Sequence, residues 1–315
     1  MLRYAIKRIL LMIPVIIGVS FLIYFIMDLA PGDIVSVTHG ETSLTEEQME
    51  ELRASYGLNQ SVFVRYFNYM EGFVRGDLGT SFITGKPVLE SFLQKLPATI
   101  KLAVASMFVS LLISIPLGIY SAVRHGSVQD NVAMVFALLG LSVPHFWLGL
   151  MLIIVFSLHL GWFPSGGSSS LGGIVLPAVT IGTGLTATLA RTTRSSMLDV
   201  IRQDYLRTAR AKGVSERTVI MKHALRNALI PIITIAGGQF AYTLGGSVVT
   251  ETVFAWPGVG RLIVDAVNSR DTPMVTGCII MKTILIGIIV LIVDLLYATI
   301  DPRIKAQYAR GGKRK

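Results

Sequence analysis

Apolar residues in this chain fall in long uninterrupted runs. Residues 9–27 carry no charge between Arg8 and Asp28, and residues 102–123 carry none between Lys101 and Arg124. Residues 131–190 contain no Asp, Glu, Lys or Arg. Crossing the hydrocarbon core of a bilayer takes about 20 residues of helix, so the first two runs predict one span each and the third is too long for one. The stretch Gly161-Trp162-Phe163-Pro164-Ser165-Gly166-Gly167-Ser168-Ser169-Ser170 divides it into two. Residues 227–250 predict a fifth span, and residues 278–300, interrupted only by Lys282 and Asp294, a sixth. Backbone in lipid must satisfy its own hydrogen bonds within helices or closed barrels. The predicted fold is therefore all-α, a polytopic membrane protein of six transmembrane helices with an external helical insertion between helices one and two. In chain order this gives an N-terminal helix (1–30), an external segment (31–96) and a helical core (97–302) containing a basic loop (195–227). A basic tail (303–315) follows.

Composition agrees with that reading. Of 315 residues 52% are hydrophobic and 15% charged, with mean hydropathy +0.63, against about 25% charged in soluble chains. Lys7 and Arg8 precede the first apolar run as in a signal peptide. The run is longer than a signal core and no small-x-small cleavage site follows closely, so a retained first helix is expected. A single cysteine, Cys278, rules out an internal disulfide framework or a cysteine-based metal site, and no metal site is expected. The net charge of +9 raises nucleic acid as a partner. With the N-terminus inside, however, the cytosolic segments hold nineteen of the 28 basic residues, whereas the first external segment is net acidic. Lys/Arg bias of short loops sets membrane orientation. The charge is thus a topology signal that places both termini in the cytosol, and no nucleic-acid role is expected.

The external segment has its own helix signals. Thr45 with Gln48 three residues on forms a capping box, flanked by Leu44 and Met49 as a hydrophobic staple. Glu46 and Glu47 suit the positive end of the helix dipole, and Gly57 suits a C-terminal stop. Residues 62–73 place Val62, Phe63, Tyr66, Phe67 and Met70 largely on one side. Such a stripe is usually a core face, which favours a small lid packed on the bundle over a docking surface for an external partner. Before the last span, Glu251-Thr252-Val253-Phe254-Ala255-Trp256-Pro257-Gly258-Val259-Gly260-Arg261 implies a tight aromatic turn near the outer interface. Glu251, Phe254 and Trp256 are candidates for an outer gate there, with a structural role as the alternative.

Residues 194–222 keep a helical pattern but are too charged for hydrocarbon. Asp204 suits a helix start, Arg210 and Lys212 its last turn, and Gly213 a left-handed stop. Ser215 can cap a second helix carrying Val219, Ile220, Ala224 and Leu225. The pattern predicts two short helices at an angle, an elbow with small residues Ala209, Ala211 and Gly213 at its bend. A solvated basic loop is the plain alternative. Within the spans, Gly237, Ala241 and Gly245 recur every four residues, a spacing that permits close helix packing, and the helix bearing them is a candidate for the subunit interface. Gln239, Tyr242 and Thr243 are candidate pathway residues, and so is His145, with a packed histidine at the Pro144 kink as its alternative. Asp294 needs a partner in lipid, expected to be a structural bond to a neighbouring helix, and Lys282 is expected to snorkel to the outer interface.

The elbow resembles the EAA loop of ABC-importer permeases, Glu-Ala-Ala, three residues, Gly, nine residues, Ile-x-Leu-Pro. Ala209 matches the second alanine, Gly213 the glycine and Leu225 the leucine. Arg207, Thr208, His223 and Arg226 depart from it, and Pro231 comes later than the pattern places its proline. The run from Asp204 to Ser215 is similar to one branch of that superfamily, the B-type permease subunit of dipeptide, oligopeptide, nickel and glutathione importers. So are Leu29-Ala30-Pro31-Gly32-Asp33, Gly76-Asp77-Leu78-Gly79-Thr80-Ser81, His223-Ala224-Leu225-Arg226-Asn227-Ala228, Glu251-Thr252-Val253-Phe254-Ala255-Trp256-Pro257-Gly258 and Asp294-Leu295-Leu296-Tyr297-Ala298-Thr299-Ile300-Asp301-Pro302.

The resemblance implies a type I importer permease in a bacterial or archaeal cytoplasmic membrane. It would be paired with a homologous second permease, two cytosolic ATPase subunits and an extracytoplasmic solute-binding protein, with membrane lipids around it. It implies that Ala209, Gly213, Ser215, Arg217, Val219, Ile220, Lys222 and Leu225 meet an ATPase subunit, Val219, Leu225 and their neighbours by apolar contact and Arg217 and Lys222 at a polar rim. The cargo would be a di- or oligopeptide. The chain has no Gly-x-x-x-x-Gly-Lys-Ser/Thr loop, because Gly85-Lys86 and Gly312-Lys313 lack the rest of it. It is therefore not expected to be an enzyme or to bind a cofactor, ATP and magnesium belonging to the partner subunits. A motorless secondary transporter or channel is the rival reading. It would need no docking elbow, and its usual internal repeat is not visible. An intramembrane enzyme would need a catalytic motif that the spans lack.

Overall fold

The computed structural model describes residues 2–32, 34–39, 45–168 and 170–300. Among the described residues there is no strand, only an isolated antiparallel bridge between Thr80 and Pro87. The helices are α1 (Leu2–Leu29), α2 (Ile34–His39), α3 (Glu46–Ser55), α4 (Val62–Val74), α5 (Val88–Val123), α6 (Val128–Ser142), α7 (His145–Leu152), α8 (Val175–Ile201), α9 (Asp204–Ala211), α10 (Glu216–Thr218), α11 (Leu225–Gly246), α12 (Val248–Val253), α13 (Val259–Asn268) and α14 (Thr272–Ile300). π-helical turns continue α7 over Ile153–His159 and α10 over Val219–Ala224, and a 3-10 turn, Leu171–Ile174, leads into α8.

Among the described residues five stretches are long and apolar enough to span a bilayer: Tyr4–Leu29, Val88–Val123, Leu171–Ile201, Glu216–Gly246 and Thr272–Leu296. The pair Val128–Ser142 and His145–His159 is long and apolar enough only when taken together and is bent by 97°, a broken sixth span or a re-entrant loop. The bend follows from Pro144, which forces Val143 into extended backbone (φ −78°, ψ 125°) and offers no N–H to continue the helix. The other spans run past their apolar runs at one end or both, except that α11 stops at Gly246, short of the end of its run at Thr250. α5 begins 14 residues before Leu102 because its early turns are anchored by protein rather than lipid, with Val88 and Phe92 buried.

The chain packs as two compact units. In one, built on Ile100–Trp256 with the neighbourhood of Tyr4 and the end of α14, α8 is the hub. Its hydroxyls are satisfied by their own helix: Thr180, Thr186 and Thr193 each donate to the carbonyl four residues back at 2.7–2.8 Å, which makes them tolerable in an apolar setting. Helix α5 crosses α8 at Gly118, where a Cβ would lie 2.5 Å from Thr193 Cβ and 2.7 Å from the Ala190 carbonyl oxygen.

Close by, a charge cluster ties the α5–α6 turn to α8. Asp130, 1% exposed, takes Arg194 Nε (2.7 Å) and Nη2 (2.6 Å) in a fork. It also accepts from Ser121 Oγ and from the Gly126 N–H at 3.0 Å. Arg194 Nη2 further meets His125 Nδ1 at 2.9 Å. A buried carboxylate with this many donors is stable only while they remain. Tyr4 Oη of α1 donates to Asp294 Oδ2 of α14 at 2.8 Å, the structural bond between helices that Asp294 is expected to need.

The second unit comprises Ile6–Thr99 and Pro257–Gly287. Its core gathers Met27, Leu78, Val88, Phe92, Val259, Met274 and Cys278. The capping box forms as written: Gln48 N–H donates to Thr45 Oγ1 (3.3 Å) and Thr45 N–H to Gln48 Oε1 (2.9 Å). Leu44, the other half of the staple, lies outside the described residues, as do Asp33 and the basic tail. Gly57 closes α3 at φ +69°. Buried Asp271 caps α14 through the Met274 N–H and also receives Ser81 Oγ (2.5 Å) and the Phe82 N–H (3.2 Å), hooking the 76–87 loop to the last helix. Lys282, expected to snorkel, is buried in the protein at 9% exposure.

Removing one partner of a buried ion pair costs about 3–5 kcal/mol. Asp130→Ala is therefore expected to lower the melting temperature of the purified protein sharply, and Arg194→Lys, which keeps the charge but loses the fork, to lower it less. Gly118→Val is expected to cost about 1–3 kcal/mol by overpacking, whereas Gly238→Ala, whose Cβ would meet nothing within 4 Å, should leave the thermal midpoint unchanged or higher. Differential scanning fluorimetry checks both pairs.

Candidate functional site

The elbow is built from α9, α10 and its π-helical continuation. Helix α9 ends as a Schellman turn: the Gly213 N–H donates to Arg210 O (2.9 Å) and the Val214 N–H to Ala209 O (3.3 Å), with Gly213 at φ +78°. Ser215 starts α10, its hydroxyl meeting Thr218 Oγ1 at 2.9 Å. Across the bend Arg210 forks onto Glu216, Nε and Nη2 each 2.9 Å from a carboxylate oxygen. This bond holds the Arg210 guanidinium charged, above its ordinary pKa. Asn227 Nδ2 donates to Tyr205 Oη at 2.7 Å, joining α9 to α11.

The apolar side chains of the elbow point into its own bundle. Leu206, Val219 and Ala224 are fully buried and Ile220 is nearly so, packed with Ile119 and Ala122 of α5, Met197 of α8 and Ala228 of α11. Ala209 and Leu225 are half-buried at the edge of this cluster. This corrects the expectation that Val219 and Ile220 offer apolar surface to a partner: a segment with so few apolar residues spends them on holding itself to α5 and α8. Exposed instead are Tyr205, Arg207, Lys212, Ser215, Arg217, Met221 and Lys222, with Gly213 at the surface. Met221, half exposed, joins Tyr205 as apolar surface on that face, and sequence reasoning passed over it because it looks like one more residue of the helical stripe. The six-residue spacing of Arg210 and Glu216 likewise escapes a search at helical periods, since their meeting depends on the turn at Gly213.

The pathway candidates do not converge. Thr243 is buried and donates to Gln239 O at 2.9 Å, Gln239 is half-buried, and Tyr242 is 69% exposed. His145, half-buried at the bend after Pro144, fills the notch at Gly184 of α8, a packed position. A separate cavity of about 390 Å³ between α5, α11 and α14 is lined by apolar groups including Met107, Leu111, Ile232, Phe240 and Val293, and by none of these four. Gly237 meets Val293 so closely that its Cβ would lie 2.5 Å from it, so this end of the small-residue stripe packs within the chain, against α14.

The gate candidates are all buried: Glu251, which accepts from Ser247 Oγ (2.9 Å), Phe254 and Trp256. Phe254 O accepts from the Gly167 N–H at 2.8 Å and its ring lies on Gly149, so the three build a packed corner. Among the described residues no group of three or more His, Cys, Asp or Glu is placed to hold a metal ion.

Comparison with known proteins places this geometry. Residues 114–306 match the family of binding-protein-dependent transport system inner membrane components, and residues 1–103 match its N-terminal membrane component. The chain is 42% identical to the oligopeptide transport system permease protein AppB of Bacillus subtilis, over 97% of this chain and 100% of that one. It is 41% identical to the glutathione transport system permease protein GsiC of Escherichia coli K12, over 97% and 99%. Its fold matches a chain of the inward-facing MetNI methionine ABC transporter with TM-score 0.57 at 19% identity, covering 67% of this chain and 96% of that one. The chain belongs to the binding-protein-dependent transport system inner membrane component family and is a multi-pass permease subunit of an ABC importer.

Proposed function

We propose that the chain forms half of a translocation pathway for di- or oligopeptides and transmits ATP-driven movement through residues 204–227. It would work in a bacterial or archaeal cytoplasmic membrane with both termini cytosolic. The observation that carries this reading is the two-faced elbow. Its inner face is locked into α5, α8 and α11, and its outer face presents Met221 between Arg217 and Lys222. A rigid projection of that kind passes a push from a docked ATPase subunit directly to the helices that hold it, the basis of a rigid-body switch. A homologous second permease, two ATPase subunits carrying ATP and magnesium, and an extracytoplasmic solute-binding protein complete the assembly. The peptide cargo is inferred from the oligopeptide and glutathione permeases that the chain resembles along nearly its whole length. A motorless transporter is not favoured, given the family.

Reversal of the two rim charges, Arg217→Glu with Lys222→Glu, is expected to cut binding-protein-stimulated ATP hydrolysis and peptide uptake about tenfold or more, equivalent to about 1.4 kcal/mol of lost docking. Gly213→Pro, incompatible with φ +78°, should abolish co-purification of the ATPase subunits. Val219→Ala should act by loosening the elbow, lowering the melting temperature before it touches docking. Unchanged coupled hydrolysis in the charge-reversed assembly in proteoliposomes would defeat the docking assignment. For the cargo, the cognate binding protein loaded with an oligopeptide should stimulate hydrolysis, and stimulation by glutathione alone would redirect the substrate class.

A further inference from the structure

Helix α4 carries three strips rather than two. Tyr66, Tyr69 and Phe73 turn inward: Tyr66, 5% exposed, hydrogen-bonds Ser20 Oγ (3.0 Å) and the Ile17 carbonyl (3.2 Å), and Phe73 joins the core with Leu78 and Phe92. Arg65, Asn68, Glu71 and Arg75 form a polar strip, Arg65 pairing with Asp28 and Arg75 with Glu71. Between these lie Phe63, Phe67 and Val74, which are 53%, 67% and 81% exposed. A helix packed on a lid needs only the first two strips. The third, bare and apolar, needs a cover.

Its depth identifies the cover. Phe63 stacks on Phe21 of α1 with ring centroids 6.3 Å apart, and Phe21 stacks in turn on Phe25 at 6.0 Å. Asp28 ends the uncharged run of α1, and at 1.5 Å per residue Phe21 lies about 10 Å back from it along the helix. The bare strip is therefore continuous with the α1 surface of Phe21, Leu22 and Ile26, each 40–55% exposed, on a helix that is itself a membrane span. The Arg65–Asp28 pair marks the polar boundary, and the Arg75–Glu71 pair stands on the neighbouring polar face. A large apolar stripe beside charged residues, held about 5–10 Å inside the headgroup boundary, is the arrangement of an interfacial helix.

We propose that α4 lies in the leaflet at the C-terminal end of α1, with Phe63, Phe67 and Val74 among acyl chains and Arg65, Asn68, Glu71 and Arg75 at the headgroups. The cover is lipid, and the external segment is a membrane-embedded collar rather than a free docking surface. The inference depends on α1 spanning the membrane and not on the role of the elbow.

The test places single nitroxide labels at Phe67→Cys, Val74→Cys and Asn68→Cys in the assembled transporter, reconstituted in phosphatidylcholine–phosphatidylglycerol vesicles. Buried Cys278 stays in place, out of reach of the label. Labels at 67 and 74 should be relaxed far more by oxygen than by a water-soluble nickel chelate, at a depth of about 5–10 Å, and the label at 68 should show the reverse. Nickel access at 67 and 74 equal to that at 68 would mean that water or a dissociable soluble partner meets the strip. Protection from both relaxants would mean that a neighbouring subunit covers it. Either result overturns the proposal. Phe67→Trp gives an independent reading with a conservative change: its added emission, over that of Trp147, Trp162 and Trp256, should be quenched by lipids brominated on the acyl chain, and failure to quench would also refute lipid contact.

Discussion

A charged segment has few apolar side chains, and where those few are buried decides what the segment can do. In residues 204–225 Leu206, Val219, Ile220 and Ala224 are spent on α5, α8 and α11, which leaves the cations facing outward and makes the elbow stiff. Burying such side chains is worth about 1.5–3 kcal/mol each for Leu, Ile or Val. That gain outweighs the tendency of so basic a stretch to remain a solvated loop. Arg210–Glu216 and Tyr205–Asn227 then fix the angle that the Gly213 turn sets. An elbow held this way moves only when the helices beneath it move.

The same logic runs through the helical bundle around α8. Membrane helices gain little from hydrophobicity against one another and depend on close contact and polar bonds. Gly118 against Thr193 supplies the first, Asp130 with Arg194 the second. They join α8 to α5 and α6 about two turns before α8 ends at Ile201. Rigidity is thus concentrated where the chain leaves the apolar region.

How much of this was legible depended on whether local pattern or tertiary packing was in charge. The runs without charge, the break at 161–170, the capping box at Thr45 and the stop at Gly213 are local and read directly, because length and turn chemistry leave one answer. The direction of Val219 and Ile220 was misread, since a helical stripe says that a face is apolar without saying who covers it. Asp130–Arg194, Asp271–Ser81 and Tyr4–Asp294 join residues 64 to 290 positions apart, beyond any periodic signal. For Asp294 the cost of a lone carboxyl in lipid did foretell a partner, though not which one. The hidden side of α4 shows the same limit: spacing put Phe63 and Phe67 with Tyr66, and only the packing on α1 separates a buried edge from a bare one.

The Val143 N–H bonds backward to Leu139 O at 3.2 Å, Pro144 has no N–H to give, and the next turn starts afresh with the Leu148 N–H on Pro144 O at 3.0 Å. No ladder bond crosses that joint, so the angle between α6 and α7 is set by packing contacts, among them His145 at Gly184, the Phe254 ring on Gly149 and Gly140 against Thr183 O. A helix pair joined in this way owes its angle to the groups packed around it and not to its own backbone ladder.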